Sequence, residues 1–108
     1  MSRYSAAATF RASPDAVLAA TVHVFRNDWG KALQQGPKVS AWTPLSQYWL
    51  SQHVSLLVTG AGPGGTTVTV RSTAPLRFGF LARRKNRRNV AHAIRRVGEQ
   101  LATMQASA

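Results

Sequence analysis

Tyr4, Ala6, Ala8 and Phe10 alternate with Ser5, Ala7, Thr9 and Arg11, and this period of two predicts a half-buried strand at the start of the chain. A helix start follows directly. Ser13 can accept from free N–H groups of the next turn, Pro14 suits the first helical position, and Asp15 suits the positive end of the helix dipole. Val17, Leu18, Thr21, Val22 and Phe25 then share one side of a wheel with Arg26 opposite, so the helix is expected over 14–28. Trp29-Gly30 and Gln35-Gly36-Pro37 punctuate a connection, and a short strand is expected over 38–43.

A longer strand is expected over 47–59, with Tyr48, Leu50, Val54, Leu56 and Val58 on one face and Ser51, His53 and Ser55 on the other. The run from Gly60 to Gly65 reads as a loose hairpin loop. Residues 66–73 return with Val68 and Val70 inward and Thr67, Thr69 and Arg71 outward. A connector over 74–82 leads to a final helix over 86–104. There Val90, Ile94, Val97, Leu101 and Met104 step by four and three, the seam of a packed helix. The order β-α-β-β-β-α predicts an α+β fold: a small, antiparallel-rich sheet with both helices packed on one face.

The 108 residues amount to one domain, taken as 1–108. Charge changes the picture most. Fourteen Lys and Arg against three acids leave a formal net charge of +11, and no acid lies between Asp28 and Glu99. Such a field repels itself and concentrates polyanions around the molecule. The absence of Cys removes disulfides, thiolate metal sites and cysteine nucleophiles together. The opening residues lack a long apolar core with a cleavage-like site, and the uncharged stretch over 39–70 is too often interrupted by polar residues to span a bilayer. A cytoplasmic protein is therefore expected, with the membrane periphery as the alternative location.

Seven of the fourteen basic residues lie between Arg83 and Arg96. Arg83, Arg84, Lys85, Arg87 and Arg88 crowd the expected helix start, where cations oppose the dipole by roughly 0.3–1 kcal/mol each. Together with Arg95 and Arg96 they form the expected anion-binding set, with free N–H groups and guanidinium forks as a phosphate seat. The competing reading is a solvated face that keeps a basic protein soluble. Nucleic acid is the expected partner, and an acidic protein or an anionic membrane surface are the alternatives. Phe78, Phe80 and Leu81, just before the Arg run, suggest an apolar or membrane contact; a loop folded over the core edge is the plainer reading. Trp29, Trp42, Tyr48 and Trp49 are expected to complete the core, with stacking on bases as the alternative.

Catalysis finds little footing in the residues. Asp15, Asp28 and Glu99 sit where capping and charge balance explain them, and no Ser is marked as activated by an oriented His. His23, His53 and His92 lie on three different elements without Cys or carboxylate company, so neither a metal nor another cofactor is expected. The glycine run joins two strands and does not precede a helix, which excludes a phosphate loop of the Walker kind. A non-enzymatic binding module is the reading that follows.

With Phe10-Arg11-Ala12-Ser13-Pro14-Asp15, Thr67-Val68-Thr69-Val70-Arg71-Ser72 and Lys85-Asn86-Arg87-Arg88-Asn89-Val90, the chain resembles a group of small uncharacterised bacterial domains of β-α-β-β-β-α order. The pattern of that group puts an acid-Trp-Gly before its Lys-Asn-Arg-Arg motif, where this chain has Ala82-Arg83-Arg84; the departure puts a local ion pair in doubt and makes the patch more basic. The opening is also similar to helix-grip domains of the START and polyketide-cyclase kind. That likeness implies an apolar-ligand carrier as a further functional alternative.

Overall fold

The computed structural model describes residues 2–44, 51–74 and 79–107. In chain order the elements are β1 (Ser2–Phe10), α1 (Pro14–Trp29), β2 (Leu33–Gln35), β3 (Lys38–Trp42), β4 (His53–Gly62), β5 (Gly65–Ala74) and α2 (Gly79–Ala106). The strands form one antiparallel sheet in the order β1-β5-β4-β3-β2, so the first strand closes beside the last. The fold is α+β, as the alternation of residues predicts. The extra strand β2 lies in the stretch read as a plain connection. It is three residues long and exposed throughout, so it carries no alternation to read.

Both helices cover the same face of the sheet. α2 lies over β1 and β5, α1 lies over β3 and β4, and the two helices pack side by side. α1 begins as its residues dictate: Ser13 is extended, its hydroxyl accepts from the Ala16 N–H at 3.2 Å, and Pro14 occupies the first turn. It ends at Gly30, whose φ of 88° is open to glycine and costly for other residues, and whose N–H donates to the Arg26 carbonyl.

Fully buried Val17, Val24 and Phe25 of α1 meet Val39, Val54, Leu56, Val68 and Val70 of the sheet and Val90 and Val97 of α2. The α1 stripe is centred slightly differently from the expectation: Val24 is buried and Val22 only half so. Thr21, buried among these apolar groups, donates its hydroxyl to the Val17 carbonyl at 2.7 Å and so enters the core at little cost.

Two expectations need correction. The glycine run is no loose loop: β4 continues to Gly62, β5 starts at Gly65, and only Pro63-Gly64 turn between them. Glycine is required at Gly65, where φ is 124° and an added Cβ would stand 2.1 Å from the Phe10 carbonyl oxygen. The final helix starts at Gly79, two turns before the expected Asn86. Going back from Val90, the inward positions are Asn89, Asn86 and Ala82, too polar or too small to extend an apolar stripe toward Gly79. Part of the expected 47–59 strand lies outside the described residues, as do Tyr48, Trp49 and Phe78.

Candidate functional site

The early start of α2 relocates the basic cluster. Arg83, Arg84, Lys85, Arg87 and Arg88 stand inside the helix, beyond its first four residues, so their N–H groups are spent on the helix and the expected N-terminal phosphate seat does not form. Phe80 and Leu81 fall in the first turn of α2 instead of in a connector. What remains is a matter of side chains. Arg83, Arg84, Arg87, Arg88 and Arg95 are exposed and Lys85 is half-buried.

The distribution of acids decides how free these cations are. Asp15 sits in the first turn of α1, while Asp28 and Glu99 gather at the middle of α2. Asp28, in the last turn of α1, receives His92 Nε2 at 2.7 Å and Arg96 Nε at 3.1 Å on one oxygen, with Asn27 Nδ2 at 2.9 Å on the other. Burial pushes the Asp28 carboxyl up, but the hydrogen bonds from Asn27, Arg96 and His92 outweigh it and hold the group below the usual carboxylate range. The same bond and charge raise Arg96 above its ordinary value. Arg96 is therefore tied within the molecule and leaves the expected anion-binding set. Arg95 holds Glu99 at 3.3 Å across a solvent-exposed turn, a pair of small worth. The chain's three acids are thereby accounted for, and Arg83, Arg84, Lys85, Arg87 and Arg88 have no carboxylate partner among the described residues. Arg87 leans across β1 with its guanidinium 5.5 Å from the Tyr4 ring centre.

Under this cationic surface the Lys-Asn-Arg-Arg-Asn-Val stretch acquires a physical reading. Arg87 and Arg88 face out, whereas Asn86 and Asn89 are buried and face the sheet. Asn89 Nδ2 donates to Gln52 Oε1 at 2.8 Å and to Ser72 Oγ at 3.2 Å, and Ser72 in turn donates to Asn86 Oδ1 at 2.9 Å. Gln52 is anchored through its main chain, its N–H donating to Thr43 Oγ1 at 2.9 Å. No buried side-chain N or O among the described residues lacks a partner. The signal was present in the chain, because Ser72 falls in the inward register with Val68 and Val70, and Asn86 and Asn89 fall on the inward stripe of α2.

A cleft of about 500 Å³ opens between the end of α1 and α2, lined by Trp29, Lys85, Arg88, Asn89, His92 and Arg95. Trp29 packs on Phe25 with ring centres 4.9 Å apart and lies 5.8 Å from the His92 ring. On the far side of Trp29 an apolar recess of about 630 Å³ includes Leu33, Trp42 and His53. Trp42 is 56% exposed, against the expectation that it completes the core; it stands on the uncovered sheet face, edge-on to His53 at 5.0 Å. Burial and then the Lys38 charge push the His53 imidazole below its ordinary value. A larger recess of about 690 Å³ lies beside the β4–β5 turn and the start of α1, where Arg11 is the lone cation and Asp15 stands in the adjoining helical turn.

Among the described residues no group of three or more His, Asp or Glu side chains is arranged to hold a metal ion, and no helix is long and apolar enough to cross a membrane. Comparison with family models, with curated proteins and with solved structures finds no match to this chain.

Proposed function

We propose that this chain is a non-enzymatic binding module that engages nucleic-acid phosphates through the outward side of α2. One observation carries the reading: Arg83, Arg84, Arg87 and Arg88 are exposed on adjoining turns with every acid of the chain placed elsewhere. An uncompensated run of guanidinium groups gains most from an anion that brings several charges in a line. A rise of about 1.5 Å per residue puts Arg84 and Arg95 about 16 Å apart along the axis, an elongated stripe that suits a phosphate backbone.

An anionic bilayer is a weaker match. An interfacial helix needs its apolar stripe free to enter the lipid, and here Val90, Val97 and Leu101 are buried against the sheet. An apolar-ligand carrier also draws less support, because the described part of the interface between sheet and α2 is filled by those side chains and by the Asn86, Asn89 and Ser72 network. The pairing of His92 with Asp28 argues for structure rather than for catalysis, since the same carboxylate oxygen also neutralises Arg96.

The test is fluorescence anisotropy with labelled single-stranded and duplex DNA at 50 to 200 mM salt. Affinity is expected to fall steeply with added salt, because binding releases condensed counterions. Affinity that ignores salt, or no binding to either form, would refute the proposal.

A further inference from the structure

We propose that the cleft between the end of α1 and α2 seats one nucleotide unit of a single strand, with its base against the Trp29 indole and its phosphate held by Arg88, Lys85 and Arg95. This rests on the phosphate-binding reading above and goes beyond it, because it predicts a preference for unpaired bases. Lys85, Arg88, His92 and Arg95 follow one another at helical spacings of three and four, so their side chains border the same cleft. Three cations thus converge on a space that also holds a large aromatic wall.

That wall is fixed before any ligand arrives. Trp29 is the last residue of α1, packed on Phe25 and ended by the glycine cap, so its ring cannot swing with a free loop. His92 has a neighbour at each ring nitrogen: Nε2 meets Asp28 at 2.7 Å and Nδ1 lies 3.4 Å from an Arg95 nitrogen. Two acids contact residues that line the cleft: Asp28, whose charge is already met by Arg96, and Glu99, which Arg95 holds at 3.3 Å in an exposed pair of small worth, so an incoming phosphate competes with Glu99 for Arg95. An indole ring beside guanidinium and ammonium groups matches what a nucleotide offers: a flat ring and an anionic group a short linker apart. A duplex offers the second but keeps the first in its own stack. A bare anion would use the cations and leave the indole idle.

The experiment compares three probes on the intact protein at one salt concentration: a mixed-sequence single-stranded 12-mer, its duplex, and an abasic strand of the same length. The base-bearing strand is expected to bind about tenfold or more tighter than the abasic strand, and Trp29→Leu is expected to erase most of that difference while changing duplex affinity less than about twofold. The abasic comparison uses the unaltered protein and so stands even if the variant fails to fold, which its thermal melt would show. Adenosine monophosphate serves as a competitor: displacement of the strand at lower concentration than inorganic phosphate requires supports a built nucleotide seat. If abasic and base-bearing strands bind alike, the seat is overturned while phosphate binding stands. If no strand binds, both readings fall.

Discussion

The two halves of α2 are held to the same sheet by opposite means. From Ala93 onward the inward positions are apolar, with Val97 and Leu101 in the common core and Gly98 beside the Phe10 ring. Before Val90 the inward positions are Ala82, Asn86 and Asn89, and the two Asn are joined to Ser72 and Gln52 by hydrogen bonds. The outer sides differ in the same order. The later half commits Arg96 to Asp28 and pairs Arg95 only loosely with Glu99, and in the earlier half Arg83, Arg84, Arg87 and Arg88 are exposed with no carboxylate partner among the described residues. Apolar packing tolerates small slides, whereas a buried amide with both protons committed fixes position and rotation. The half that presents unpaired charge is therefore also the half whose orientation is most tightly specified.

Substitutions along the helix would sharpen or break that contrast. Leu101→Ala should cost the most, about 2–4 kcal/mol in chemical denaturation, as a nearly buried side chain leaves a cavity. Asn89→Leu should cost nearly as much, about 2–3 kcal/mol, because it strands the Gln52 carbonyl oxygen and removes a donor from Ser72. If Asn89→Leu proved neutral, the polar half would be held by something other than this network.

Asp28→Asn should cost about 1–2 kcal/mol at neutral pH through weaker bonds to Arg96 and His92. Its pH dependence carries a sign. The folded carboxyl is held below its unfolded value of about 3.9, so its contribution is complete above that pH and is lost as pH falls through the lowered folded value. Stability of the variant should accordingly fall less steeply than that of the unaltered protein below about pH 4. Smallest, and opposite in direction, is Gly98→Ala. An added Cβ meets the Phe10 ring at 3.7 Å, an ordinary contact, so thermal unfolding should show a gain of about 0.5–1 kcal/mol from helix propensity.

The contrast also explains what could be read in advance. Alternation in β1, the Ser13-Pro14-Asp15 cap and the inward Val68 and Val70 are local signals written by burial on one face, and they placed those elements correctly. The apolar half of α2 was legible for the same reason. The first two turns of that helix were not: the expected helix took in Asn86 and Asn89 but stopped there, because polar Asn86 and small Ala82 carry no apolar period back toward Gly79. The basic cluster was visible as composition, but its freedom was not. Arg96 is committed to Asp28, a residue 68 positions away, and nothing local distinguishes it from Arg88. Trp29 likewise became a cleft wall only once α1 ended beside α2.

The central claim is that the earlier half of α2 presents guanidinium groups that seek phosphates. The most direct measurement is the slope of log affinity against log salt for a single strand, in the unaltered protein and in the Arg84→Gln, Arg88→Gln double variant. The slope should become shallower by about 1.4, at about 0.7 per phosphate contact on a single strand, with the fold intact by circular dichroism. An unchanged slope would contradict the account, because phosphates would then be held elsewhere on the molecule.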